Sequence, residues 1–200
     1  YLGQFIDHDI TFDPTSSFGR QHDPDGLQNF RTPRFDLDCL YLSGPKASPY
    51  LFDSRAPTKF LLGRNQAQEL DVPRNTQQVA LIGDPRNDEN IVVSQLHAGL
   101  LSFHNAVVAH LTAKPANRER HGLPGESLFD TAQRLVRWHY QWVVLHDFLP
   151  RIVGQTTVNA RVTKDSAGRF TIALDHYQPE EEAFIPVEFA VAAYRFGHSM

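Results

Sequence analysis

A mainly α-helical domain with long loops and little β-structure is what this sequence predicts. Three observations predict it. Apolar residues recur at helical spacing in the two longest periodic stretches, around residues 90–113 and 127–150. Residues 13–58 are rich in Pro, Gly, Asp and Ser and carry few periodic stretches. Alternation is weak and confined to residues 156–174, enough for one small hairpin.

Taken in order, the first ten residues place Leu2, Phe5, Ile6 and Ile10 on one helical face. The loop over 13–58 follows, and a loop of that length in a compact domain tends to be functional or held by a ligand. Residues 59–87 continue as loop, with Pro73 and Pro85. Asn87 or Asp88 then caps a long helix whose stripe is Val92, Leu96, Leu100, Phe103, Val107 and Leu111. Lys114-Pro115 ends it, and residues 116–126 read as a polar linker. Ser127 with Asp130 forms a capping box opening a helix through Leu135, Trp138, Trp142 and Leu145 towards Pro150, closed by Gly154. A turn at 165–168 centres the hairpin. Pro186 suits a first helical position, so residues 187–200 read as the last helix.

The chain has 200 residues, 41% hydrophobic and 21% charged, ordinary for a globular fold with a sizeable core. A net charge of −4 argues against a nucleic-acid binder, which usually shows a basic stripe. Cys39 is the single cysteine and has no partner for an internal disulfide. No apolar run reads as long enough to span a bilayer. The chain opens in mid-pattern at Tyr1-Leu2-Gly3 and stops at Met200, so the expectation is the central part, residues 1–200, of one larger domain. The ten histidines draw notice, because histidine in bulk usually means that some of it binds metal or moves protons.

Three segments carry the chemistry. Gln4, Asp7 and His8 share one face of the first helix at i, i+3 and i+4. Gly83-Asp84-Pro85-Arg86 precedes the long helix, with Glu89 placed favourably for the helix dipole. Tyr194-Arg195-Phe196-Gly197-His198 sets a glycine beside a histidine, which permits close approach of something flat. Each segment alone reads as a solvated face, a charged cap or a core histidine. Together and in this order, with Leu96-His97 through Phe103-His104-Asn105 and residues 138–154 between them, they resemble the animal-type haem peroxidases. That superfamily includes myeloperoxidase and the cyclooxygenases. The resemblance covers nearly the whole chain and implies a helical haem peroxidase fold.

The resemblance implies roles residue by residue. His8 matches the distal histidine, whose neutral imidazole takes a proton from one peroxide oxygen and returns it to the other. Arg86 matches the distal arginine, whose charge stabilises the leaving oxygen. Gln4 matches the distal glutamine that holds water or a small anion. His198 matches the proximal iron ligand, and Arg195, three residues earlier, faces a haem propionate. Asp7 and Glu89 match the carboxylates that form ester bonds to haem, so the cofactor implied is haem b or ester-linked haem. Asn90 stands where the myeloperoxidase pattern has a vinyl-bonding Met, so that third bond is not expected and the case for chloride oxidation weakens. Asp9, Thr32, Arg34 (through its carbonyl), Asp36 and Asp38 match a Ca²⁺ loop, and this set of oxygens suits a hard cation.

The implied activity is reduction of hydrogen peroxide through an oxyferryl haem, with phenols, halides or similar small donors as reductants. Secretion is implied by the resemblance alone. Alternatives are a fatty-acid dioxygenase or cyclooxygenase relative, a binding protein that keeps the fold without turnover, and a non-haem hydrolase using Asp7-His8-Asp9. The last lacks further ligands at metal spacing. Among the remaining histidines, His97, His104 and His139 on apolar helices and His22, His121 and His176 in polar loops read as core or surface groups.

Overall fold

The computed structural model describes residues 1–13, 28–178 and 182–199, except for the side chains of residues 191, 198 and 199. Among the described residues helices dominate and every sheet has two strands, so the mainly α expectation holds. Helix α1 (Leu2–Ile10) buries all its residues from Gly3 onward. The sequence marks only one apolar face there, yet Asp7, His8 and Asp9 are fully buried as well. Burying three ionisable groups in a row is costly unless each is bonded, and this turn of α1 is where the candidate site forms.

The region expected to be loop carries short elements. Helices α2 (Asp38–Tyr41) and α3 (Gly44–Ala47) are one turn each. Strand β1 (Phe52–Asp53) pairs antiparallel with β2 (Ala56–Phe60), and β3 (Gly63–Arg64) with β4 (Leu70–Asp71). Strands of two to five residues are too short to show alternation, which is why the sequence reads as loop. Gly63 is required by close approach: a Cβ there would sit 2.1 Å from the Val72 carbonyl oxygen.

Helix α4 (Ile91–Ala113) starts at Asn90, whose side chain accepts from the Val92 and Val93 amides. The expected cap at Asn87 or Asp88 is displaced, because Asp84 caps a separate 3₁₀ turn over Pro85–Asp88 with Pro85 at its first position. By length and composition, α4 is long and apolar enough to cross a membrane, so the expectation that no such run exists is not confirmed. It packs along α6 (Leu128–Val143), with Val93, His97, Ala98, Leu101, His104, Val108 and Leu111 buried. Between them, α5 (Pro115–His121) replaces the expected linker. It buries no residue, so no apolar period marks it.

The capping box at Ser127 and Asp130 forms as expected. Past α6 the chain widens into a π turn (Val144–Phe148) before α7 (Leu149–Val153). Pro150 explains the widening: it offers no N–H to the carbonyl four residues back, and its ring would collide with it. Helix α8 (Gln155–Arg161) follows, and the expected hairpin is β5 (Val162–Lys164) with β6 (Phe170–Ile172). Its turn places Gly168 at φ 78°, with the Asp165 carboxylate accepting from the Ala167 and Arg169 amides. The expected last helix is shorter: α9 (Val187–Val191) breaks at Ala192, and a 3₁₀ turn runs over Ala193–Ser199.

The core joins α1 to the rest through Phe5, Ile6, Leu37, Leu40, Tyr41, Leu101, Val136, Tyr140 and Tyr194. His104 sits inside it, as expected for a core histidine. Its Nε2–H donates to the Thr58 carbonyl at 2.9 Å, so its Nδ1 accepts from the Tyr41 hydroxyl at 3.0 Å. Burial pushes this imidazole down to about 4, so it stays neutral.

Candidate active site

His8 lies on the inner face of α1 with no exposed surface. Its Nδ1 meets the Asn87 Oδ1 at 2.7 Å. An amide oxygen only accepts, so Nδ1 carries the proton and Nε2 presents the lone pair. Burial holds the imidazole below its ordinary value, the Asn87 bond partly restores it, and the Arg86 charge lowers it further. The ring is therefore neutral at neutral pH, the state a proton acceptor needs.

Asn87 is itself fully buried in the 3₁₀ turn. Its Nδ2 meets the Nδ1 of His97 on α4 at 3.0 Å. Burial takes His97 down to about 4. Nothing in the sequence distinguishes Asn87 from a helix cap, the role its place before an apolar stripe suggests.

Arg86 stands next to this amide. The resemblance puts it over the leaving oxygen. Here its Nη2 donates to the His8 carbonyl at 3.1 Å and the Thr11 carbonyl at 2.7 Å, at the open end of α1. Orphan carbonyls at a helix C-terminus attract cations. Its Nε and Nη2 also bond the two oxygens of Asp84 at 3.0 and 2.7 Å. Arg31 binds Asp84 from another side at 2.8 Å. Both guanidiniums lie over the Phe12 ring, at 5.0 and 5.1 Å from its centre. Asp84 thus holds two cations against the last turn of α1. Burial pushes its carboxyl up, but the arginine bonds together outweigh this and leave it below the ordinary carboxylate range.

The other predicted residues fall around α1. Gln4 Oε1 accepts from Asn90 Nδ2 at 2.9 Å, which ties the start of α4 to the first turn of α1. Asp7 is buried and pairs with Arg195 at 3.3 Å, across 188 positions of sequence. Tyr194 donates to the Gly3 carbonyl at 3.3 Å. The motif at residues 194–198 therefore does come to the α1 motif. The two segments touch at Gly3 and Gly197, where a Cβ on Gly197 would lie 3.3 Å from the Gly3 oxygen, and no flat gap separates them at that point. That contact falls five residues, about 7.5 Å of helix axis, before His8. Glu89 is exposed at the end of the 3₁₀ turn. The side chain of His198 lies outside the described residues, though its backbone is part of the terminal turn.

The expected cation loop gathers beside Asp9. The Asp9 Oδ2 accepts from the Leu37 amide at 3.2 Å. Thr32 donates to Asp36 at 2.7 Å, and Arg34 is exposed. Arg137 on α6 donates to the Asp36 carbonyl and lies 3.7 Å from Asp38, and Gln141 donates to the Phe35 carbonyl at 3.1 Å. The sequence gives no sign that α6 anchors this loop. Burial, then the Asp36 charge, pushes the Asp9 carboxyl up to about 7, and Asp38 is raised for the same two reasons. Asp9 Oδ1 and Asp36 Oδ1 are buried without a complete hydrogen bond. Among the described residues, however, no three His, Cys, Asp or Glu side chains converge closely enough to hold an ion.

Comparison with known proteins bears on this arrangement. The pattern of the family described as animal haem peroxidase matches residues 51–200. Arg86, Glu89, Arg195 and His198 lie inside that span; Gln4, Asp7, His8, Asp9 and the acidic loop precede it. The peroxidasin homologue pxn-2 of Caenorhabditis elegans is 28% identical over 120 residues, covering 60% of this chain and 8% of that protein. The probable oxidoreductase PXDNL of Homo sapiens is 27% identical over 181 residues, 90% of this chain and 11% of that protein. The thyroid peroxidase of Sus scrofa is 26% identical over 133 residues, 66% and 13% respectively. The chain thus spans only about a tenth of the length of these relatives.

Proposed function

Since this chain belongs to the animal haem peroxidases, we propose that it is the part of a peroxidase that carries the proton-handling side of a haem site and its iron ligand, with hydrogen peroxide as oxidant and small molecules such as phenols or halides as electron donors. The single observation that carries this reading is the state of His8: buried, neutral, and bonded through Nδ1 so that Nε2 is the basic nitrogen.

The residues present suit a haem by their chemistry. Glu89 is an exposed carboxylate that would suit ester attachment, Arg195, half exposed and paired with the buried Asp7, would bring its cation towards a propionate once that pair opens, and the His198 imidazole would bind the iron. When bound, haem supplies the iron that holds peroxide and takes up its oxidising equivalents. The chain's own part is to move the proton. His8 Nε2 accepts it from one peroxide oxygen and delivers it to the other as that oxygen leaves as water. Asn87 keeps Nδ1 occupied throughout. Arg86, fixed on the carbonyls of His8 and Thr11, holds the end of α1 and keeps positive charge beside the ring, which discourages a lasting imidazolium. Gln4 is held by Asn90 with its side chain on the same face as His8.

The test is the haem content and absorbance spectrum of the full-length protein. A Soret band that shifts on adding peroxide is the expected result. No haem uptake would overturn the reading in favour of a scaffold that keeps the fold.

The same reading assigns Asp9, Asp36 and Asp38, with the Thr32 hydroxyl and the Arg34 carbonyl, to a Ca²⁺ ion that draws the three carboxylates together. The incomplete bonding of Asp9 Oδ1 and Asp36 Oδ1 fits that cation. An ion present at a hundred times its dissociation constant contributes about 2.7 kcal/mol. For a domain of this size chelation should then lower the melting temperature by about 5–10 °C. Identical melting curves before and after chelation would remove calcium from the site.

A further inference from the structure

We infer that Asn87 and His97 form a buried relay that decides which nitrogen of His8 carries the proton, so that both are positioning residues for the base; the inference rests on the role proposed above for His8.

The geometry has three parts. Asn87 is fully buried and directs both ends of its amide at histidines, the oxygen to His8 Nδ1 at 2.7 Å and the nitrogen to His97 Nδ1 at 3.0 Å. It spends neither end on capping α4, which Asn90 does instead. An amide has one end that only accepts and one that only donates. Two imidazoles bonded through the same nitrogen to opposite ends must therefore be in opposite states. His8 carries its proton on Nδ1, and His97 offers a bare Nδ1.

The sense of this relay matters more than its existence. With the amide turned over, His97 would donate to the oxygen and the amide nitrogen would donate to His8. His8 would then hold its proton on Nε2 and have no lone pair for peroxide. Only the sense described here also tolerates the moment of transfer, when both nitrogens of His8 carry protons and Nδ1 must still donate. His97 cannot take that part. It is completely enclosed, and its ring is held edge-on to Phe5 at 6.2 Å. Its Nε2 has no hydrogen-bond partner, and burial outweighs the attraction of Asp84 and Asp88, so a charge on it is disfavoured. A histidine that stays neutral leaves the oxygen end of Asn87 to the histidine that must charge.

The same logic says why these residue types are used. A carboxylate at 87 would accept from His8 but offer His97 no donor. An apolar residue would leave two buried nitrogens unbonded. A water molecule would bind either ring in either sense and so specify neither tautomer.

The test reads the tautomer directly, by ¹⁵N imidazole shifts in the full-length protein labelled at histidine, with any bound haem in its diamagnetic ferrous carbon-monoxide form. In the unaltered protein His8 should show a protonated Nδ1 and a bare Nε2, and His97 the reverse. Asn87→Leu should release His8 to the Nε2–H form that free histidine prefers and slow the peroxide reaction about 10–100-fold. Asn87→Asp should keep the Nδ1–H form of His8. A proton on Nε2 of His8 in the unaltered protein overturns the relay, and that measurement needs no variant to fold. So does an Asn87→Leu protein that folds and keeps Nδ1–H. A correct tautomer in a protein that ignores peroxide would instead count against the peroxidase reading and leave the relay standing.

Discussion

His8→Ala in the haem-loaded protein should slow its reaction with peroxide by about 10²–10⁴-fold, the usual worth of a positioned acid–base group. The expectation follows from the Nδ1 bond and the neutral ring. Without Nε2, the proton must pass through bulk water in two uncoordinated steps. Haem content should not fall, because His8 is not assigned as an iron ligand. The variant leaves a cavity in a fully buried position and an unbonded Asn87 oxygen, so some loss of stability will accompany it. Stopped-flow absorbance at the Soret band separates the two effects. A rate within twofold of the unaltered protein would remove His8 from the reaction.

Asp84→Ala should destabilise the fold by about 3–5 kcal/mol, because it strands two cations that the carboxylate holds at 2.7–2.8 Å. The Arg31 side chain is only 8% exposed and has little water to turn to. The variant also removes the side-chain cap of the Pro85–Asp88 turn, on which Arg86 and Asn87 ride. The effect has a definite pH dependence. Asp84 titrates below its unfolded value of about 3.9. Its contribution is thus complete above that pH and is lost as pH falls through the lower folded value. The gap in unfolding free energy between the two proteins, read from urea titrations, should be constant from pH 7 to pH 5 and narrow below about pH 4. A gap under 1 kcal/mol at pH 7 would mean that the arginines find other partners.

Much of the fold is legible in the sequence where one residue type answers to one local cause. Ser127 and Asp130 open α6 because the reciprocal cap is a matter of adjacent atoms. Residues 165–168 turn because the Asp165 carboxylate accepts from the Ala167 and Arg169 amides just ahead of it and Gly168 accepts a positive φ. The misplaced start of α4 shows the limit of such reasoning. Asn87, Asp88 and Asn90 are all fair caps by type, and the choice falls to Asn90 only because Asp84 and Pro85 claim the preceding turn. Helix α5 and the short strands have no buried periodic face and left no pattern to read.

The candidate site divides along the same line. His8, Asp7, Gln4, Arg86 and Arg195 are marked only by the ordered set of three motifs and the resemblance it carries, since each motif alone reads as a solvated face, a cap or a core histidine. Their pairings are not marked at all. Asn87 reaches His8 across 79 positions, Arg195 reaches Asp7 across 188, and Arg137 reaches Asp36 across 101.

What the sequence by itself determined is the helical character, the two long core helices, the hairpin and the identity of the chemical groups, because periodicity and capping act within a few residues. Only the tertiary structure decided which buried groups the His8 ring meets, where the Arg86 charge is directed and what holds the acidic loop. Those are properties of buried atoms a few ångströms apart on elements distant in the chain, and their energies come from desolvation and direction, which no local spacing encodes.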